Sequence, residues 1–224
     1  MIEGFALPRE ELLRQGFDDL ANFLRGADGA VQSPHGVTAV AVDAASGEVL
    51  MVAHMNAEAL AKTRESGRVT FWSRSKDRLW TKGETSGDVL QLVSIAADCD
   101  RDALLVRARP AGPTCHLGTK SCFGEAPGPD TAFLGELQAI VEARADADPS
   151  QSYTARLLAK GLLKVAQKVG EEGVETALAG AAEHDEALVN EAADLIFHLT
   201  VLLKARGKTL GDVARVLESR HAAS

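Results

Sequence analysis

The stretch Gly124-Glu125-Ala126-Pro127-Gly128-Pro129-Asp130 constrains this chain most, because Pro127, Gly128 and Pro129 in succession can continue neither a helix nor a strand ladder. The hydrophobic pattern changes across it. Before it, short runs rich in β-branched and aromatic residues recur at 37–42, 48–55, 68–73, 89–96 and 103–108. Turn-forming clusters such as Asp43-Ala44-Ala45-Ser46-Gly47 and Lys76-Asp77-Arg78 separate them. After it the helical period takes over: Phe133, Leu134, Leu137, Ile140 and Val141 form one stripe behind Asp130, a candidate cap. Further helices are predicted at 152–160, 161–183, 185–206 and 209–220, with turns short enough for antiparallel packing. The expected fold class is α+β: a mainly β N-terminal domain over residues 1–123, a linker at 124–130, and an all-α helical-bundle C-terminal domain at 131–224. Two helices are predicted inside the first domain. One, at 8–24, spaces Leu12, Leu13, Phe17, Leu20, Phe23 and Leu24 along one face, and Arg25-Gly26 ends it. The other, at 57–65, follows Asn56 as N-cap and stops before Gly67.

Charge excludes several function classes. A formal net charge of −8 opposes general affinity for nucleic acid or anionic lipid, both of which call for a basic footprint. No run reaches the length of a membrane-spanning helix, since the apolar segment at 195–203 is interrupted by His198 and Thr200. Three cysteines, an odd number, make no disulfide framework, and Met1-Ile2-Glu3-Gly4 lacks the basic and apolar regions of a secretory signal. A cytoplasmic protein is expected.

All three cysteines fall in one short window that also holds Asp98-Cys99-Asp100-Arg101-Asp102. In an extended strand Asp98, Asp100 and Asp102 would line one face and Cys99 the other. Carboxylates suit a hard cation such as Mg²⁺; the thiolates of Cys99, Cys115 and Cys122 suit Zn²⁺. Gly112, Pro113 and Gly118 supply turns that bring Cys115 and Cys122 toward one ion, which makes the β domain the expected metal-binding domain. Three protein ligands leave a fourth position for water and catalysis, whereas His116 as fourth ligand would close a structural site. Buried thiols and a solvated aspartate turn are the plainer alternatives. Ser73-Arg74-Ser75 and Lys82-Gly83-Glu84-Thr85-Ser86-Gly87 combine cations, hydroxyls and glycines, a composition that suits an anionic group as well as a solvated turn.

A second set of carboxylates lies in the helical half. Glu171, Glu172 and Glu175 form E-E-x-x-E, and Glu191 with Asp194 forms E-x-x-D on the next helix. Residues three or four apart share a helix face, so two helices can present paired carboxylates to each other. Val174, Leu178, Leu188, Leu195 and Leu199 around them place these acids toward the bundle interior, where divalent cations would compensate like charges. Lys164 and Lys168 either meet phosphate oxygens or act as salt-bridge partners of Glu172 along the helix.

These residues resemble a known family, the bifunctional histidine-biosynthesis enzyme that joins phosphoribosyl-AMP cyclohydrolase to phosphoribosyl-ATP pyrophosphohydrolase. In the first half the resemblance is carried by Phe71-Trp72-Ser73-Arg74-Ser75, Leu79-Trp80-x-Lys82-Gly83-Glu84-Thr85-Ser86-Gly87, Asp98-Cys99-Asp100-x-Asp102 and Cys115-His116-x-Gly118-x-x-Ser121-Cys122-Phe123. In the second it is carried by Ser152-Tyr153-Thr154, Lys160-Gly161, Lys164, Lys168-Val169-Gly170-Glu171-Glu172, Glu175 and Glu191-Ala192-Ala193-Asp194-Leu195 with His198. Gly173 and Gly180 depart from it, standing where related helices carry alanine. The resemblance implies two hydrolyses of purine ribotides: loss of pyrophosphate from phosphoribosyl-ATP, then N1–C6 opening of phosphoribosyl-AMP. It implies Zn²⁺ on Cys99, Cys115 and Cys122 in a homodimer, Cys99 coming from one subunit and the other two from its partner. It further implies Mg²⁺ on Asp98, Asp100 and Asp102, and on the helical acids Glu171, Glu172, Glu175, Glu191 and Asp194. Within that frame Glu172 is the candidate proton acceptor and His116 the candidate proton-transfer group, with Arg74, Lys82, Lys164 and Lys168 as phosphate contacts. The competing expectation is a zinc-stabilised binding module fused to a general nucleotide pyrophosphatase. A zinc nucleoside deaminase fits less well, since it pairs H-x-E with P-C-x-x-C and this chain has C-x₆-C.

Overall fold

The structure is a computed structural model that describes residues 35–99, 102–124 and 128–221. The helix expected at 8–24, the candidate ligand Asp100 and linker residues 125–127 lie outside the described residues. The chain divides into two compact units between Ala132 and Phe133.

The first unit is a six-stranded sheet. Strands β1 (Val37–Asp43) and β2 (Val49–Met55) form an antiparallel hairpin, with a register shift between Ala41 and Val42. Helix α1 (Ala57–Ser66) follows, and then β3 (Thr70–Ser73), β4 (Arg78–Thr81), β5 (Leu90–Ala97) and β6 (Ala103–Pro110). The order across the sheet is β4-β3-β2-β1-β6-β5, antiparallel throughout except for the β1–β6 pair. Alternation decides which face is core: along β6, Leu104, Val106 and Ala108 are buried while Leu105, Arg107 and Arg109 are exposed. Leu50, Met55, Leu60, Val69, Phe71 and Leu90 complete that core. Helix α1 forms as its signals predict: Asn56 Oδ1 accepts from the Ala59 N–H at 2.9 Å, and Gly67 ends it in the left-handed conformation. Its Thr63 hydroxyl accepts from the Thr70 N–H at 2.9 Å, which ties the helix to β3.

Strand β4 differs from the sequence expectation, because Arg78 reads locally as part of a turn. The chain reverses earlier, at Asp77 with φ 48°, and Arg78 already pairs with Ser73. Cross-strand partners supply what local sequence lacks: Phe71 and Trp80 pack with ring centroids 5.3 Å apart, and the Thr70 and Thr81 hydroxyls lie 2.9 Å apart.

The second unit is all helical: α2 (Ala132–Ala145), α3 (Tyr153–Ala159), α4 (Leu162–Ala182), α5 (Asp185–Ala205) and α6 (Leu210–His221). Val141, Leu157, Val165 and Val201 make its core. Ser152 caps α3, and Gly161 at φ 89° separates α3 from α4 in a conformation that side chains disfavour. Helices α4 and α5 run antiparallel, Gly180 facing Leu188 and Gly173 facing Leu195, so both glycines lie where α5 packs. The buried seam of α4 is Val165, Glu172 and Ala179, at heptad spacing. Val174 and Leu178, expected toward the interior, are instead 60% and 58% exposed, because they lie off that seam. No described helix is long and apolar enough to cross a membrane.

Candidate active sites

In the first unit a cleft of about 740 Å³ opens beside the β3–β4 hairpin. One wall is the turn after β4. Gly83 there has φ 78°, and a Cβ would stand 2.3 Å from the Asp88 carbonyl carbon, so only glycine fits. Across the same turn buried Lys82 donates from Nζ to the Asp88 carbonyl oxygen at 3.0 Å. The opposite wall is the loop carrying Cys115 and Cys122, closed by Cys115 N–H to the Thr119 carbonyl at 3.0 Å. The loop is sewn to β2: Cys122 N–H donates to the Leu50 carbonyl at 2.8 Å and the Ser121 hydroxyl to that of Val49 at 2.7 Å. Lys120 adds ion pairs to Asp43, at 3.2 Å, and to Glu48.

The two thiols differ electrically. The Leu117 N–H, 3.5 Å from Cys115 Sγ, and then the Thr119 hydroxyl hold the Cys115 thiol below its ordinary pKa. Burial and then the neighbouring Cys115 push Cys122 up, with Lys82 opposing. His116 is exposed on the rim, its Nδ1 3.9 Å from Cys115 Sγ. Thr114, also in this wall, has the single buried side-chain oxygen without a hydrogen-bond partner among the described residues. Two thiols beside a polar cleft are a donor set that fits zinc. Among the described residues Cys99 does not join them within one chain.

Asp98 and Asp102 occupy the β5–β6 connection, not an extended strand. Asp98 Oδ1 accepts from the N–H groups of Asp102 and Ala103, each at 3.0 Å, and these bonds bend the chain between the strands. Cys99, Asp98 and Asp102 are all exposed on this turn. Lys76, Arg78 and Trp80 also line the cleft, beyond the site residues expected from sequence. Their placement follows from β4, whose four residues are too few for a periodic signal. Arg74 lies by His54, where burial first and then the Arg74 charge hold the imidazole below its ordinary pKa.

In the second unit Glu172, Glu175 and Glu191 each offer an oxygen within 4.8 Å of the others, bringing α4 and α5 together at a three-carboxylate cluster. Partial desolvation, then the charges of Glu172 and Glu191, push the Glu175 carboxyl up. Hard oxygen donors so crowded fit a divalent cation. Glu171 and Asp194 stand outside the cluster. Lys168 Nζ contacts Glu172 Oε1 at 2.6 Å and Glu171 Oε2 at 2.9 Å, which raises the lysine and lowers Glu171 relative to their ordinary values. Of its two readings, the geometry thus displays the salt bridge. Lys164 donates to Gln167 at 3.0 Å on the same helix. His198, which sequence reasoning left without a role, is buried against Glu172, with Nδ1 3.6 Å from Oε1.

Fold and sites together define a two-centre enzyme, with a thiol-lined cleft on a β unit and a carboxylate cluster on a helical one. The family of phosphoribosyl-AMP cyclohydrolase matches residues 51–124, and that of phosphoribosyl-ATP pyrophosphohydrolase matches residues 134–221. The chain is 61% identical over 179 residues to the histidine biosynthesis bifunctional protein HisIE of Xanthomonas axonopodis pv. citri (strain 306), covering 80% of this chain and 85% of that protein. The protein of the same name from Escherichia coli (strain K12) is 58% identical over 182 residues, covering 80% and 87%, and that from Photobacterium profundum 55% over 190, covering 83% and 92%. The chain belongs to this family of bifunctional histidine-biosynthesis hydrolases, with the cyclohydrolase domain first and the pyrophosphohydrolase domain second.

Proposed function

We propose that the helical domain hydrolyses phosphoribosyl-ATP to phosphoribosyl-AMP and pyrophosphate, and that the β domain then adds water across N1–C6 of phosphoribosyl-AMP and opens the purine ring. The domains of this reading are residues 1–123 and 131–224 with 124–130 between them. The observation that carries it is the separation of two donor sets of different chemistry, the Cys115–Cys122 cleft in one unit and the Glu172–Glu175–Glu191 cluster in the other.

In the β domain Cys115, Cys122 and the partner subunit's Cys99 would hold Zn²⁺, and Asp98, Asp100 and Asp102 would hold Mg²⁺. Zinc held there would supply a water acidified to a pKa of about 7. His116, on the cleft rim, moves the proton toward the departing N1. Lys82, with Lys76 and Arg78 in the same cleft, meets the phosphate, and Trp80 offers a ring face to the base. The placement of Cys99 away from the other thiols within one chain supports a homodimer with shared zinc sites. So do the exposed apolar residues Leu163, Val174, Leu178 and Val189 of the helical domain.

In the helical domain Glu172, Glu175 and Glu191 would hold Mg²⁺, with Glu171 and Asp194 flanking them. Magnesium bound there would offset the charge of the departing pyrophosphate and acidify the attacking water. Glu172 accepts the proton, Lys168 holds Glu172 in place, and Lys164 reaches the phosphate chain. The substrates are small ribotides and the setting is the cytoplasm.

Incubation of the purified protein with phosphoribosyl-ATP, following pyrophosphate release and purine-ring absorbance together, tests this. Glu172→Gln is expected to abolish pyrophosphate release and spare ring opening of supplied phosphoribosyl-AMP. Cys115→Ala is expected to lose zinc and ring opening and to spare pyrophosphate release. Equal loss of both activities in either variant refutes two independent centres, and zinc binding without ring opening in the wild type favours the binding-module alternative.

A further inference from the structure

We propose that Tyr153 and His198 are a positioning pair that holds the acidic turns of α4 and α5 at the spacing cation binding needs. The inference rests on the reading of Glu172, Glu175 and Glu191 as the pyrophosphohydrolase centre.

His198 is 5% exposed and meets groups from α3, α4 and its own helix. On its own helix, Nδ1 lies 2.9 Å from the Asp194 carbonyl oxygen. A carbonyl oxygen only accepts, so Nδ1 carries the hydrogen. In the neutral ring Nε2 is then an acceptor, and the Tyr153 hydroxyl of α3 meets it at 3.1 Å. The two hydrogen bonds select one tautomer and fix the ring plane. Tyr153 and Phe197 pack edge-on against the imidazole, with centroids 6.0 and 5.2 Å away and interplanar angles of 80°.

This fixed ring is a wall behind Glu172. Its Nδ1 is 3.6 Å from Glu172 Oε1, too long for a hydrogen bond but close enough for the N–H dipole and the ring itself to limit where the carboxylate can swing. Lys168 holds the same oxygen from its own helix at 2.6 Å. With Oε1 confined from two sides, Glu172 keeps an oxygen within 4.8 Å of oxygens from both Glu175 and Glu191. The Asp194 carbonyl that anchors His198 belongs to the turn of α5 that follows Glu191, so one side chain sets the acids of both helices. Groups that orient cation ligands in this way typically change metal affinity or rate by about 10- to 100-fold when removed.

The test uses the full-length protein and three variants: His198→Leu, His198→Asn, whose amide nitrogen can replace Nδ1 as donor to the Asp194 carbonyl, and Tyr153→Phe. Mn²⁺ binding is read by electron paramagnetic resonance, with the sites lost in Glu172→Gln taken as those of the cluster. His198→Leu is expected to weaken these sites about 10- to 100-fold and to lower kcat for pyrophosphate release with little change in KM. His198→Asn is expected to recover most of both. Tyr153→Phe is expected to give a smaller loss and, in long-range ¹H–¹⁵N spectra of histidine-labelled protein, to turn a single Nδ1–H pattern for His198 into a mixture. Helical circular dichroism and the thermal unfolding of the helical unit report whether each variant is folded, and if His198→Leu is not, the Asn and Phe variants carry the test. Wild-type Mn²⁺ affinity and kcat in the folded Leu variant, an Asn variant no better than Leu, or a wild-type His198 protonated at Nε2 alone overturns the positioning role. Absence of pyrophosphate release by the wild type, or Mn²⁺ binding untouched by Glu172→Gln, refutes the underlying reading instead.

Discussion

Replacing Gly173 by alanine should stabilise the helical unit. Gly173 lies in the middle of α4, where glycine costs about 1 kcal/mol relative to alanine through backbone entropy. The added methyl meets Leu195 Cδ1 at 4.0 Å, an ordinary van der Waals distance, so no packing penalty offsets the gain. For a unit the size of Phe133–Ser224, about 1 kcal/mol corresponds to a rise of roughly 4–8 °C in melting temperature. Gly180 is the internal comparison. A methyl there would stand 3.3 Å from Leu188 Cδ1, which has to move by a few tenths of an ångström, so Gly180→Ala should gain only about half as much. Thermal unfolding of full-length protein, followed by circular dichroism in the helical band and by calorimetry, measures both. A lower melting temperature for Gly173→Ala, or a larger gain for Gly180→Ala, would refute the assignment of these contacts.

Lys120→Met removes the cation between Asp43, 5% exposed, and Glu48, and should cost about 1–2 kcal/mol after allowance for the partly exposed lysine. Because Lys120 precedes the Ser121 and Cys122 attachments to β2, zinc should also dissociate faster from this variant into a colorimetric chelator; wild-type release kinetics would exclude the link. Asp212 receives hydrogen bonds from the Thr209 hydroxyl and N–H, which hold its carboxyl below the ordinary 3.8. A depressed folded pKa means stability that is present above 3.8 and lost as pH falls through the folded value. Asp212→Asn should therefore lower the urea midpoint at neutral pH and converge on wild type in acid, and a difference that persists unchanged into acid would count against these hydrogen bonds as the cause.

The features legible in this chain's sequence are those that depend on neighbours along it. Asn56 and Gly67 bound α1 because capping is decided within a turn of the helix, and the breakers at 127–129 separate a strand-like period from a helical one without reference to any distant contact. The cysteines, the aspartate run and the two helical acid motifs can be singled out for the same reason, since residue type and spacing are properties of the string. Partner choice is not such a property. That β1 pairs in parallel with β6, that β4 exists beside β3, and that Asp98 turns back onto the Asp102 and Ala103 amides all follow from pairing across the sheet. E-E-x-x-E permits several carboxylate pairs, and only the packing of α4 on α5 selects Glu172, Glu175 and Glu191 while turning Glu171 to Lys168. His198 and Tyr153 are 45 residues apart in the chain, and a buried imidazole takes on its role from the atoms that surround it, which tertiary structure alone assembles.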